Sequence, residues 1–270
     1  RAELLELIDK AAEEGWKKLD LSGKGLTELP PEIGELTQLK VLKVGKWNRK
    51  EGKCEGNYLS ELPEEIGQLQ NLTALYISGN RLTDLPESAS NLVKLKALFI
   101  QGNNIKKIPE TVSFLRSLRT LVFEDNQCEE IPEWISQLNK LWWLNFSKNS
   151  LKQLPENIGG LTDLRGISFE YNQLPEVPAW LGQLTALKEL HLNKNQLTAV
   201  PESLSRLTKL EILYLWGNQF TEVPEWLGQL TELKELHLSE NQLTTIPEPL
   251  SQLTKQKKLY LWENKFTEVP

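Results

Sequence analysis

The chain counts 270 residues with 31 basic and 37 acidic side chains, a formal net charge of −6, the wrong sign for a nucleic-acid backbone. No apolar run approaches the roughly 18–20 residues that a membrane helix needs, and nothing after Arg1 has the makings of a signal-peptide core. Cys54 and Cys128 are too few and too far apart for a disulfide framework, so the expectation is a cytoplasmic protein with neither nucleic acid nor membrane as partner.

Residues 1–15 open the chain as RAELLELIDKAAEEG, in which Leu4, Leu5, Ile8, Ala11 and Ala12 give a helix one apolar face and Gly15 suits its stop. This segment is expected to be a capping helix. From residue 16 to 270 the chain is an array of about 11 coils. The first coil begins at Trp16 with LDLSGKGLTELP. The second begins at Leu39 and is lengthened to 33 residues by an insert near 45–57, within GKWNRKEGKCEGNY. Trp47, Arg49 and Lys50 in that insert are candidate loop contacts, since a loop on a rigid frame often meets a partner. A further unit starts at Leu72, and from there units follow every 23 residues at Leu95, Leu118, Leu141, Leu164, Leu187, Leu210, Leu233 and Gln256.

Each unit follows L-x-x-L-x-L-x-x-N-x-L-x-x-L-P, as in LTALYISGNRLTDLP. The L-x-L segment alternates with period 2, which predicts a short strand with leucines inward and the intervening residues outward. Asn80, Asn103, Asn126, Asn149, Asn172, Asn195, Asn218, Asn241 and Asn264 recur where the chain leaves the strand. An amide carries both donors and an acceptor, so these nine are read as a structural ladder satisfying backbone groups at the turn. Proline at 63, 86, 109, 132, 155, 178, 201, 224 and 247 then fixes φ for a short helical or irregular turn. One coil could not stand alone: its six or so inward side chains gain roughly 1.5–3 kcal/mol each, against a backbone cost of about 1–2 kcal/mol per residue. Neighbours must cover both of its faces.

Recurrence of this pattern identifies the chain as a leucine-rich repeat protein. The resemblance implies an α/β solenoid bent into a horseshoe arc, with a parallel sheet on the concave face and short turns on the convex face. The last unit begins at Gln256 and stops mid-coil, so more chain is expected to follow; a bare end predicts a monomer, or weak self-association through that end.

Function is expected at the outward strand positions, because the scaffold accounts for the rest. Tyr76, Phe99 and Val122, with Trp143 beside them, form one apolar group; Ile212, Tyr214, Trp216, Tyr260 and Trp262 form another. Exposed aromatic rows are the usual anchors of a protein interface. Catalysis is not expected. Glu235, His237 and Ser239 alternate on one strand, but the equivalent coil reads Glu189, His191, Asn193, so Glu and His come with the repeat. His191 and His237 lie two coils apart with Tyr214 between them, and no third ligand converges to hold a metal. No phosphate loop or other cofactor motif occurs, and no cofactor is expected. Lysine or arginine also follows the first residue of most coils, and Glu follows Pro in eight of nine; both are assigned to the ends of the short turns. A second clock of 46 residues sets Trp134, Trp180 and Trp226 in alternate coils, on the outer face, as packing residues.

The segment AAEEGWKKLDLSGKGLTELPPEIGELTQLKVL (11–42) resembles the opening of the repeat domain in bacterial Roco proteins. That resemblance implies an array preceding a Roc GTPase and a COR dimerisation domain, which modulates the nucleotide cycle through a protein partner or another domain of its parent. A recruiting arm of a bacterial ubiquitin-ligase effector is the alternative, weakened because such repeats run nearer 20 residues. An extracellular receptor would be expected to carry cysteine-rich caps, and a designed array would not carry the irregular insert.

Overall fold

The structure, a computed structural model, describes residues 1–246 and 248–267. Pro247 of the proline series and the terminal residues to Pro270, where the expected mid-coil end falls, lie outside the described residues. The chain divides into two compact units, Arg1–Cys128 and Glu129–Pro270.

In unit one, helix α1 (Ala2–Glu13) buries Leu4, Ile8 and Ala11 and lies against the first 3₁₀ turn, Pro31–Glu35. Leu5 is half-buried and Ala12 faces solvent, so the apolar stripe is narrower than the composition suggests. Gly15, at φ +64, turns the chain into the first coil. Strands β1 (Lys18–Asp20), β2 (Val41–Asn48), β4 (Ala74–Ile77), β5 (Ala97–Phe99) and β6 (Thr120–Val122) pair in parallel, in chain order. The insert is a hairpin, not a loop. Strand β2 runs on past the sheet and folds back as β3 (Lys53–Glu55), pairing Trp47 with Cys54. It hugs the next coil: a Cβ at Gly45 would sit 1.8 Å from the Ser78 carbonyl oxygen, and one at Gly56 only 1.6 Å from that of Gly79.

Unit two repeats the plan without an insert. Strands β7 (Trp143–Asn145), β8 (Gly166–Ser168), β9 (Glu189–His191), β10 (Ile212–Tyr214), β11 (Glu235–His237) and β12 (Lys258–Tyr260) pair in parallel with unshifted register. Between strands each coil makes a five-residue 3₁₀ turn, as at Ala179–Gln183 and Glu202–Arg206, where Pro178 and Pro201 just before the turn are extended at φ −65 and −70. Trp134, Trp180 and Trp226 sit half-buried on these turns. The core is the inward leucine column, supplemented by fully buried Phe146 and Phe169 here and by Phe123 in unit one. Cys128 takes an inward slot, where burial pushes its thiol up to about 12.

The asparagines tie coil to coil. Asn195 donates to the carbonyls of Phe169 (3.0 Å) and Leu192 (3.1 Å), while its Oδ1 accepts the Leu174 amide at 3.0 Å. Asn218 repeats this toward Leu192 and Leu215 and accepts two amides, those of Asn195 and Leu197. The same role falls to Asn57, which the insert displaces from the 23-residue count: it donates to Leu21 and Val44 and accepts from Lys24 and Leu26. The residue before each of the nine regular asparagines is left-handed, as Gly79, Gly102, Asp125, Lys148, Tyr171, Lys194, Gly217, Glu240 or Glu263. Removing one amide orphans several buried backbone groups, at about 1–3 kcal/mol each. Asn195→Ala is therefore expected to lower stability in urea titration by about 2–4 kcal/mol, whereas exposed Gln196→Ala should stay within about 0.5 kcal/mol.

Candidate functional site on the sheet face

Side chains between the inward leucines stand on the open face of each sheet, one row per strand. In unit one the register places Lys43, Tyr76, Phe99 and Val122 side by side. Tyr76 and Phe99 stack at 4.5 Å with rings 9° from parallel, and the Lys43 ammonium lies 4.8 Å above the Tyr76 ring. Both rings are half-buried by this contact. Val122 is not part of an exposed group: at 6% exposure it is buried, a short branched side chain in register beside the larger Phe99. At the hairpin Trp47 is 44% exposed, and Arg49 and Lys50 are exposed. Lys46 is held down, 2.7 Å from Asp20 and 3.8 Å from Glu55. Burial opposes ionisation of Asp20, yet hydrogen bonds from Lys46 and Ser22 hold its carboxyl below the ordinary value.

Unit two carries the larger arrangement. Trp143 opens this unit's group: its ring lies flat across the next strand, so that a Cβ at Gly166 would meet it at 2.1 Å. Its edge meets His191 at 6.0 Å. From there the rings run on unbroken, His191 to Tyr214 at 4.7 Å, Tyr214 to His237 at 5.7 Å and His237 to Tyr260 at 4.7 Å. A parallel row adds Tyr171, Trp216 and Trp262, with Trp216 stacked on His237 at 5.4 Å and Trp262 at 4.9 Å from it. Trp262 is 49% exposed, and Ile212 and Tyr214 are half-buried. His191, His237 and Tyr171 thus join the strip. Both histidines stand in the same outward column as Tyr214 and Tyr260, a signal the sequence contains but which weighing them only as catalysts or ligands conceals. Tyr171 occupies the left-handed slot, whose side-chain direction the leucine pattern does not reveal.

One border of the strip is lined by ion pairs. Glu211 takes Lys188 at 3.3 Å and Lys234 at 2.7 Å, Glu235 takes Lys258 at 2.8 Å, and Glu240 pairs with Lys194. Lys188 and Lys234 follow the first residue of their coils but lie beyond the 3₁₀ turns that end at Gln183 and Gln229, and they answer acids on an adjacent coil, not the ends of turns. Lys234 holds the Glu211 carboxyl, and Lys258 with the Tyr214 hydroxyl the Glu235 carboxyl, below ordinary values. Burial, then the hydrogen bond to Glu235, raises the Tyr214 phenol.

Glu235, His237 and Ser239 make no relay. The carboxylate is engaged by Lys258 and Tyr214, and both His237 Nε2 and Ser239 Oγ are buried without a hydrogen-bond partner. His191 Nε2 is 3.4 Å from a Glu189 oxygen but not aligned for a hydrogen bond, and both polar atoms of the Asn193 amide are buried and unpartnered. Among the described residues no three His, Cys, Asp or Glu side chains converge as a metal site, and no helix is long and apolar enough to cross a membrane.

Residues 88–172 and 156–268 match the family described as leucine-rich repeat region, and residues 55–105 match leucine rich repeat. No curated protein matches the chain. Among solved structures the chain is similar to a TDR receptor, at 32% identity with a TM-score of 0.82, covering 97% of this chain and 46% of that one. It is similar to a leucine-rich repeat protein of Leptospira interrogans at 27% identity and TM-score 0.64, covering 97% and 82%. It is also similar to a plant peptide hormone receptor, RGFR1, in complex with RGF2, at 28% identity and TM-score 0.74, covering 94% and 41%. The chain spans less than half the length of either receptor.

Burial lowers the His237 pKa below its ordinary value, against a smaller opposing pull from Glu240. The unfolded chain therefore binds the proton first, and stability falls as pH drops below about 6.5 toward the folded value. Urea midpoints measured from pH 7.5 to 5.5 should decline less steeply for His237→Phe than for the unaltered chain.

Proposed function

Because the chain belongs to the leucine-rich repeat family, we propose that it is a protein-binding module whose partner docks on the aromatic strip of unit two. One observation carries this reading: from Trp143 to Trp262 the outward positions form a connected aromatic surface over buried polar atoms that have no partner in the chain. Aromatic side chains give large contact area at low entropic cost. A similar receptor is seen in complex with RGF2, which supports a peptide or protein as ligand. In this reading the Tyr76–Phe99 stack of unit one is a second, smaller anchor, and Trp47, Arg49 and Lys50 on its exposed hairpin are loop contacts.

The finer reading is a regulatory module in a cytosolic Roco-type GTPase, contacting a partner or another domain of its parent. It rests on the resemblance of residues 11–42. Reading the gene beyond Pro270 tests it: a G-x-x-x-x-G-K-[ST] motif there supports the assignment, and an unrelated domain or a stop codon overturns it.

The binding surface is tested by selecting a displayed library of protein fragments against the intact chain. Trp216→Ala should weaken capture of the selected clones by about tenfold or more, consistent with a central aromatic anchor, while circular dichroism stays native. Phe99→Ala should have a smaller effect. Equal capture by the unaltered chain and by the double variant would remove both groups from the interface.

A further inference from the structure

The strip of unit two repeats every second coil. His191 and His237 alternate with Tyr214 and Tyr260 in one outward column; in the next, Asn193 and Ser239 alternate with Trp216 and Trp262. Large rings and small buried polar groups therefore recur at two strand spacings, on the order of 9.6 Å. A polyproline II helix has three residues per turn and a rise of about 3.1 Å, so its faces repeat at about 9.3 Å. The two periods differ by only about 0.3 Å. Two turns of an α-helix span about 10.8 Å and drift out of step four times faster.

Resting on the reading of this face as a binding surface, we propose that the strip receives a neutral, proline-rich segment in the polyproline II conformation, running across the strands with one proline per two coils. Rings at Tyr214, Trp216, Tyr260 and Trp262 supply the ridges between which prolines seat. The backbone of such a ligand makes no internal hydrogen bonds and, at each proline, offers an acceptor without a donor. That suits a face on which Asn193 and Ser239 are fully buried beneath the rings, so that contact with the ligand is made by the rings themselves. A neutral ligand is favoured because the flanking lysines, Lys188, Lys234, Lys258 and Lys194, each already pair with Glu211, Glu235 or Glu240. Strand addition does not compete, because the strip lies on the sheet's face and not along an edge.

Calorimetric titration of the intact chain with three neutral twelve-residue peptides tests this: one with proline at every third position, one of the same composition shuffled, and one helix-forming and proline-free. The spaced peptide should bind saturably, the shuffled one at least about fivefold more weakly. Trp216→Ala, which removes one ridge, should cost about tenfold in affinity with native circular dichroism, and Trp216→Phe, which keeps a ring against His237, distinctly less. Equal binding of spaced and shuffled peptides, tighter binding of the helical one, or no saturable heat with the spaced one would overturn the proposal. If proline-free library clones still depend on Trp216, the surface stands and only its ligand class falls; if no clone depends on it, both fall.

Discussion

The buried asparagine amide is the interaction on which the rest depends. Every coil must leave its strand and turn away, and that turn strands backbone N–H and C=O groups where water cannot reach them. An unpaired group of this kind costs as much as a lost hydrogen bond. Asn195 and Asn218 each join the carbonyls of their own coil and the one before, and accept that preceding coil's amides. With the turn closed in this way, the leucine column stacks in register and the strands pair without bulges throughout unit two.

The same geometry imposes a cost one residue earlier. The slot before each regular asparagine is left-handed, a conformation disfavoured by about 1–2 kcal/mol for residues with a Cβ. Gly79, Gly102 and Gly217 occupy it without strain, whereas Tyr171 and Lys194 hold it at φ 53. Ladder bonds on both sides overdetermine the backbone there. What the strained residues supply is side-chain reach: Tyr171 sets its ring 5.9 Å from Trp216, and Lys194 lies over that indole at 4.9 Å while pairing with Glu240.

Inward positions and the asparagine slot are thus committed to stability, which leaves outward positions to differ from coil to coil. In unit one they are spent on a short stack and a hairpin. In unit two they form a long aromatic surface whose polar floor is unsatisfied, an arrangement that water-filled or empty faces do not need. The insert shows how tolerant the plan is: ten extra residues enter the second coil, yet Asn57 still closes the turn, because the ladder requires only that an amide arrive at the right place.

Much of this was legible in the sequence. A 23-residue period, alternating leucines and recurrent asparagines specify stacked coils with a parallel sheet, since period 2 and period 23 together admit no other burial of the leucines. The acid at the start of most turns follows equally, because it depends on neighbours in the chain, whereas the lysines answer acids on the next coil. Other features required neighbours in space. The hairpin at β2 and β3, the burial of Val122 beside Phe99, the lean of Trp143 across Gly166 and the recruitment of His191, His237 and Tyr171 into one strip all depend on ring size, tilt and the direction of a left-handed residue. A repeat pattern records which face a side chain leaves from; only packing decides how far it reaches and what it covers.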